Sequence, residues 1–168
     1  PDNTAVGYAA AASNTSGYYN TAVGKSALED NITGNVNTAV GYCALHKSTA
    51  DNNTAVGGYA LIENTCGTRN TAVGRNSLYL NTTGCSNTAV GYYALNTNST
   101  GGCNTAFGEY ALCLNDTGEL NVAVGRDSLA ANTAGCNTAI GMSSMLKNTT
   151  GIKNVAVGTY AMCAATDG

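Results

Sequence analysis

The residues of this chain that could do chemistry are few, and their spacing suits neither metal binding nor acid–base catalysis. His46 is the only histidine, which removes a His–His metal pair. We expect it to be a solvated corner residue. The carboxylates are scattered and form no obvious pair of the kind that hydrolyses glycosides. The sequence therefore predicts no catalytic, cofactor or metal site and a protein that is not an enzyme.

The cysteines suggest a disulfide rather than a metal site. There are seven, and none of them forms a CxxC or other metal-binding spacing. Cys85 and Cys103 fall near the boundaries of adjacent repeats, close enough for a disulfide if the protein is extracellular. An odd number leaves at least one thiol free or paired between chains. The alternative, that these cysteines are small apolar residues tolerated at corners, stays open.

Tyrosines provide the other candidate site. Seven of them recur at two neighbouring positions of the repeat described below, where a strip of exposed rings would stack on sugar rings. Packing over a corner is the more frequent role of such tyrosines. The predicted carbohydrate-contact strip consists of Tyr8, Tyr42, Tyr59, Tyr92, Tyr93, Tyr110 and Tyr160.

A five-residue block, Asn-Thr-Ala-Val-Gly or a close variant, recurs along the whole chain and must position these residues. Successive blocks are 17 residues apart, except for two steps of 16. Such a period is typical of a solenoid, whose coils bury their apolar faces only by stacking. We number every repeat from its block Asn, which is position 1. The blocks begin at residues 3, 20, 37, 53, 70, 87, 104, 121, 137 and 154.

The repeat predicts an all-β fold, a parallel β-solenoid (β-roll) of ten 17-residue coils that occupies residues 1–168 as a single repeat domain. In a strand, positions 1, 3 and 5 share one face, which admits only Asn, Ala and Gly, and positions 2 and 4 share the other, mostly Thr and Val. We expect both faces to be buried. The coil's own second strand, at positions 8 and 9, would cover one face and partner chains the other.

The corners show turn chemistry, and the ends show no caps. Glycine at position 5, and the glycine that ends the second turn, Asn-Thr-Thr-Gly or near it, are expected to adopt positive φ. Since no end cap is visible, we expect either a segment of a longer fibre or a subunit that stacks end to end. Ten coils at about 4.8 Å each would form a rod of roughly 48 Å.

Charge and hydropathy exclude two classes of protein. Seven Lys and Arg against ten Asp and Glu give a net charge of −3 over 168 residues, without a basic cluster. The chain therefore lacks the electrostatic footprint of a nucleic-acid binder. No apolar run approaches the roughly 18 residues that a membrane span needs, so we expect no membrane insertion.

Two blocks carry a resemblance to known repeats. Gly41-Tyr42-Cys43-Ala44-Leu45 and Gly91-Tyr92-Tyr93-Ala94-Leu95, together with the Asn-Thr-Thr-Gly turns, resemble repeats in the shafts of phage-tail-like and bacterial surface fibres. This resemblance covers the whole chain. More distantly, the block is similar to the Asn-Ser-Val-Ala-Ile-Gly repeats in the heads of trimeric autotransporter adhesins, which form a trimeric parallel β-roll. The resemblance implies an elongated homotrimeric attachment fibre on a cell or virion surface, with cell-surface glycans as possible partners.

The leading hypothesis is therefore a non-enzymatic, extracellular structural or adhesive fibre segment. One alternative is a filament subunit that polymerises end to end, suggested by the missing caps and the low charge. Another is an ice-binding solenoid, because regular Thr columns on a flat face could order water. Two observations weigh against ice binding: Val122 and Val155 interrupt the Thr column, and this column shares its face with position 4 valines that we expect to be buried.

Overall fold

A computed structural model describes residues 2–166 and shows the all-β parallel solenoid that the repeat predicts. Ten strands of three residues form one sheet, in which each strand pairs with its neighbours in the sequence. Each strand comprises positions 2 to 4 of one repeat. The strands are β1 Thr4–Val6, β2 Thr21–Val23, β3 Thr38–Val40, β4 Thr54–Val56, β5 Thr71–Val73, β6 Thr88–Val90, β7 Thr105–Phe107, β8 Val122–Val124, β9 Thr138–Ile140 and β10 Val155–Val157.

The register of the sheet places identical repeat positions beside one another. Thr21 pairs with Thr38 and Val23 with Val40, and the 16-residue steps keep the same register. On the two sides of each strand, the backbone N–H of position 2 donates to the next coil and that of position 5 to the preceding coil, at 2.7 to 2.9 Å. Every side chain therefore stacks on its counterparts in a column that runs the length of the solenoid.

The second strand predicted at positions 8 and 9 does not form. Between positions 5 and 11 the backbone follows consecutive turns, and positions 7 and 9 have left-handed φ angles in all ten coils. In the second coil these residues are Ser26 (φ 56°) and Leu28 (φ 54°). Left-handed residues bend the chain out of the extended conformation. Backbone hydrogen bonds between coils persist here, as from Leu28 N–H to the Ala44 carbonyl at 3.0 Å, so the turns stack as regularly as the strands.

The apolar core is a narrow column of small residues and leucines. Position 3 Ala, position 8 Ala or Ser, and position 9 Leu or Met are fully buried from the second coil to the ninth. Burying each leucine is worth about 1.5–3 kcal/mol. Because the turn segment lies close against the inner face of the strand, positions 1, 3 and 5 accommodate only small or hydrogen-bonded side chains.

The Thr and Val side chains of positions 2 and 4 point away from this core. They are half-buried in the middle coils, and at position 4 Val6 and Phe107 are 58% and 54% exposed. The prediction that this face is buried is therefore wrong within a single chain, since no other part of residues 2–166 covers it. A partner chain over this face stays a prediction.

The buried asparagine of position 1 links consecutive coils through its side chain. Its Oδ1 accepts the backbone N–H of the next position 1 asparagine, as between Asn70 and Asn87 at 2.9 Å. Its Nδ2 donates within its own coil, as from Asn87 to the Gly101 carbonyl at 2.8 Å. The first of these bonds recurs at every step from Asn3 to Asn154. A continuous amide ladder therefore lies inside the solenoid.

A second amide ladder runs along position 12. Asn98 Nδ2 donates to Asn81 Oδ1 at 2.9 Å and to the Gly101 carbonyl at 2.9 Å. Ser48 replaces asparagine in the third coil and still accepts from Asn64 Nδ2 at 3.1 Å. Most Asn-x-Ser/Thr acceptor sequences of the chain begin at this position, where from the second coil onward the asparagine amides are occupied and buried. In the folded solenoid those amides are unavailable for glycosylation.

Two glycine positions are required for different reasons. Position 5 has φ between +126° and +140°, as predicted, and a Cβ there would lie about 2.6 Å from the backbone of the next coil. The glycine that ends the second turn does not adopt positive φ, so that part of the prediction is wrong. A Cβ on Gly84 would instead lie 2.4 Å from Asn81 Oδ1 and from the Gly101 carbonyl oxygen. Space beside the amide ladder, rather than backbone conformation, requires glycine there.

The two shortened repeats keep the position 1 ladder intact. Their deletions fall at the second turn, and the carbonyl that accepts from the asparagine comes from an alanine instead of a glycine. Asn37 Nδ2 donates to Ala50 and Asn121 Nδ2 to Ala134, both at 2.8 Å. The turn absorbs the missing residue because the ladder needs only a carbonyl in that place.

Replacing Asn87 by Ala tests the ladder. The change leaves the buried Asn104 N–H without its acceptor, which costs about 1–3 kcal/mol. It also removes one of the two amide donors to the Gly101 carbonyl, which keeps its bond from Asn98 Nδ2. Together with about 0.5–1.5 kcal/mol for the lost bond to Gly101, we expect urea denaturation to show a loss of roughly 1.5–4.5 kcal/mol in the free energy of unfolding. The control Thr83→Ala alters an exposed side chain of the preceding coil and should change stability by less than about 0.5 kcal/mol. Equal effects of both variants would contradict the ladder's role.

The adjacent residues Gly57 and Gly58 offer a matched pair for the glycine argument. A Cβ on Gly57 (φ +133°) would lie 2.7 Å from the Gly74 carbonyl group, so Gly57→Ala should lower the melting temperature and destabilise by more than about 2 kcal/mol. A Cβ on Gly58 meets only the Tyr42 carbonyl oxygen, at 3.9 Å. Gly58→Ala should therefore be neutral or stabilising by up to about 1 kcal/mol. Similar losses of stability in Gly57→Ala and Gly58→Ala would contradict this explanation.

Candidate functional site

The tyrosines predicted to form one strip fall into two groups along the turn segment. In the first group, Lys25 Nζ lies 5.8 Å from the ring centroids of both Tyr8 and Tyr42, which belong to the coils on either side of it. Tyr42 packs edge-on against Tyr59, with centroids 5.0 Å apart, and Tyr59 lies 6.4 Å from Tyr79. This end of the strip is therefore a connected aromatic surface with one cation inserted in it.

The second group belongs to the sixth and seventh coils. Tyr92 contacts Tyr93 and Tyr110 at centroid distances of 4.5 and 5.6 Å, and Tyr93 lies 5.5 Å from Tyr110. Burial and the neighbouring Tyr92 raise the pKa of Tyr110. Tyr160 belongs to the last coil and is 55% exposed. The structure thus brings together most of the predicted strip, as contacts between coils, but not as one uninterrupted row.

The interruption at the fifth coil forms an open pocket of about 480 Å³. Positions 6 and 7 of this coil are Arg75 and Asn76, whereas both neighbouring coils place tyrosine at position 7. The missing ring leaves a gap between Tyr59 and Tyr93, and Tyr79 of position 10 borders it. The pocket is lined by Tyr59, Arg75, Asn76, Tyr79, Leu80, Tyr93 and Asn96.

Hydrogen bonds and charge define the pocket's polar side. Asn96 Nδ2 donates to the Asn76 carbonyl at 3.0 Å, which leaves the side-chain oxygen of Asn96 for another donor. Asn76 N–H donates to the Gly58 carbonyl at 3.1 Å. Arg75 is exposed and forms no ion pair with any carboxylate of residues 2–166. The pocket therefore combines aromatic faces, amide groups and one unpaired cation.

Sequence reasoning located two of these residues, Tyr59 and Tyr93, and missed the others. The signal that could have found them is that Arg75 and Asn76 stand at positions 6 and 7 between two coils that both carry tyrosine at position 7. Tyr79 is also the only tyrosine at position 10. Stacking in register places such departures beside the tyrosines of the neighbouring coils.

His46 is not the solvated residue that the sequence suggests. Its Nε2 lies 3.3 Å from Glu29 Oε2, its Nδ1 lies 3.4 Å from Asp30 Oδ2, and its side chain is only 24% exposed. In the next position along the chain, Lys47 Nζ lies 2.6 Å from Glu63 Oε2, and this hydrogen bond raises the pKa of Lys47. These contacts connect adjacent coils at positions 10 and 11 and form a small charged patch.

All seven cysteines are free thiols in the structure. Cys85 Sγ lies 3.4 Å from Thr68 N and donates to the Thr83 carbonyl at 3.3 Å, while Cys103 is exposed. Their backbones are adjacent, because Cys103 N–H donates to the Cys85 carbonyl at 3.0 Å. The Cys85–Cys103 disulfide is not formed here and stays a prediction. Burial raises the pKa of the Cys113 thiol, which makes it the less reactive kind.

Residues 2–166 hold no cluster of three or more His, Cys, Asp or Glu side chains placed to bind a metal ion. The same residues include no helix with the length and apolar character of a membrane span. Comparison with known protein families, with curated proteins and with solved structures finds no match to this chain.

Proposed function

We propose that the chain is a non-enzymatic structural segment of an extracellular fibre, and that three copies associate along the outward Thr and Val face. The observation that carries this proposal is the face itself. Positions 2 and 4 form two in-register columns across ten strands, and neither column contains a charged residue. The side chains are held on a regular sheet and are only partly buried by their own chain.

The dimensions of the face support association between copies. Three residues at about 3.3 Å and ten strands at about 4.8 Å give a stripe of roughly 10 by 48 Å. Two such stripes in contact would bury on the order of 1,000 Å², which is near the lower limit for a specific interface. The face is uncharged and uniform along its length, so a second copy is complementary to it without a change of register. The number of copies, three, follows the resemblance to fibre shafts.

The ladders support a mechanical role. Each coil is joined to the next by backbone hydrogen bonds on all sides and by two rows of buried amides. Bending the rod requires these bonds to stretch together, which gives stiffness without a large apolar core. Reach and rigidity, with side chains displayed at regular intervals, are the properties that an attachment fibre needs.

Replacing Val73 by Lys tests the proposed contact. This residue lies at position 4 of the central strand β5, where a charge would be desolvated by a partner chain. We expect light scattering to give three times the monomer mass for the wild type, independent of concentration, and the monomer mass for Val73→Lys. The control Thr83→Lys adds the same charge at an exposed turn of the same coil and should remain trimeric.

The other results of this experiment are informative. A stable wild-type monomer, or a trimer that persists in Val73→Lys, would overturn the proposed contact. A dimer would keep the face but overturn the number of copies. Very large, concentration-dependent species would favour end-to-end polymerisation instead.

Ice binding is a second candidate for the same face. The outward orientation of position 4 favours it, because one argument against it was the expected burial of those valines. Eight of the ten position 2 residues are threonines in register. Under this alternative a monomer should show thermal hysteresis that Val73→Lys abolishes and Thr83→Lys preserves. A trimeric wild type without hysteresis would exclude it.

A further inference from the structure

We propose that the pocket at the fifth coil binds an acidic sugar residue, a saccharide ring that bears a carboxylate. The pocket uses positions 6, 7, 10 and 11, so it lies apart from the position 2 and 4 face. The proposal goes beyond the structural role and does not depend on association of the chains. The volume of about 480 Å³ lies within the usual range for small-ligand sites.

The first argument is the aromatic gap. Tyr59 and Tyr93 lie in the same position 7 column two coils apart, so their backbones are separated by about 9.6 Å along the solenoid axis. A ring held between two aromatic faces needs roughly 7–8 Å, twice the contact distance between carbon atoms. Both tyrosines are held in place by other rings, Tyr59 by Tyr42 and Tyr93 by Tyr92. The apolar face of one sugar ring fits between such preorganised side chains.

The second argument is the polar complement. Arg75 presents an unpaired guanidinium at the pocket, and no carboxylate is among the residues that line it. A planar guanidinium binds carboxylates through two parallel hydrogen bonds. The side-chain oxygen of Asn96 and the tyrosine hydroxyls are suited to the hydroxyl groups of a sugar. A neutral sugar offers this guanidinium no carboxylate.

The third argument is that two neighbouring coils carry short side chains beside the pocket, Gly58 at position 6 of the fourth coil and Asn76 at position 7 of the fifth. Gly58 precedes Arg75 in the position 6 column, and a Cβ there would meet only one atom, at 3.9 Å. Space is therefore free in the position 6 column next to Arg75 as well as beside Asn76 in the position 7 column. The site requires the short side chain of Asn76, since tyrosine at position 7 would fill the gap.

Asn76→Tyr closes the pocket with the residue that the chain itself uses at this position. Tyr59, Tyr93 and Tyr110 adopt φ angles of 56° to 62° at position 7, close to the 58° of Asn76, so the variant should fold. Circular dichroism and the urea midpoint verify this. We expect the wild type to bind immobilised glycans that end in glucuronate, galacturonate or sialate, and to ignore the matching glycans that end in neutral glucose or galactose. Asn76→Tyr should abolish this binding.

Arg75→Gln tests the charge without filling the pocket. It should weaken binding to the acidic glycans at least about tenfold, the effect of losing a charge-assisted hydrogen bond. The control Arg126→Gln removes a guanidinium from position 6 of the eighth coil and should bind as the wild type does.

Three results would overturn the proposal: no binding of acidic glycans by the wild type, equal binding of the neutral glycans, or binding that survives in Asn76→Tyr. The glycan assay is independent of the mass measurement. A wild-type monomer that binds acidic glycans would leave this site standing while overturning the fibre contact. A wild-type trimer that binds no acidic glycan would overturn this site while leaving the fibre contact standing.

Discussion

The amide of the position 1 asparagine is the interaction on which the rest of the structure depends. It lies where an apolar residue would ordinarily form the core, and it satisfies a backbone N–H of the next coil and a carbonyl of its own coil at once. A buried amide is stabilising only when its donors and acceptors are satisfied. Stacking in register supplies these partners at every step. The ladder therefore enforces the register that it also requires, and a slipped coil would lose its side-chain bonds together with its backbone bonds.

This dependence explains which parts of the fold could be predicted from the sequence. The solenoid, its period and its strands follow from the block. A strand whose inner face admits only Asn, Ala and Gly can pair closely only with the same block in an adjacent coil. The turn segment could not be predicted in the same way. Leu28 and its counterparts look like strand residues by type, yet they adopt left-handed φ, which is unfavourable for leucine. Hydrogen bonds to the next coil and full burial of the leucine offset that local cost, and neither is visible in a single repeat.

Position 4 shows a different limit of sequence reasoning. Valine occurs there in eight of ten coils, and this uniformity suggested burial. The structure places it outward, where β-branched residues are also favoured because they pack against their cross-strand neighbours on a pleated surface. When one residue type recurs at a repeat position, its copies therefore share an environment. Stacking creates such a shared environment on the outer face of the sheet as well as on the inner face. Water, ice or another chain can contact this outer face, and the assembly rather than the repeat period determines which of them does.

The pocket shows how a repeat protein acquires a site at all. When every coil is alike, each surface column is uniform and presents ridges rather than cavities. A concave site needs one coil to depart from the pattern while its neighbours keep it, and the regular ladder beneath ensures that the departure does not disturb the fold. Asn76 illustrates this separation: its backbone keeps the left-handed angle and hydrogen bond of its position, while its short side chain opens the space between two tyrosines. Function in such a chain is therefore expected at departures from the repeat, whereas the residues that recur most faithfully maintain the scaffold.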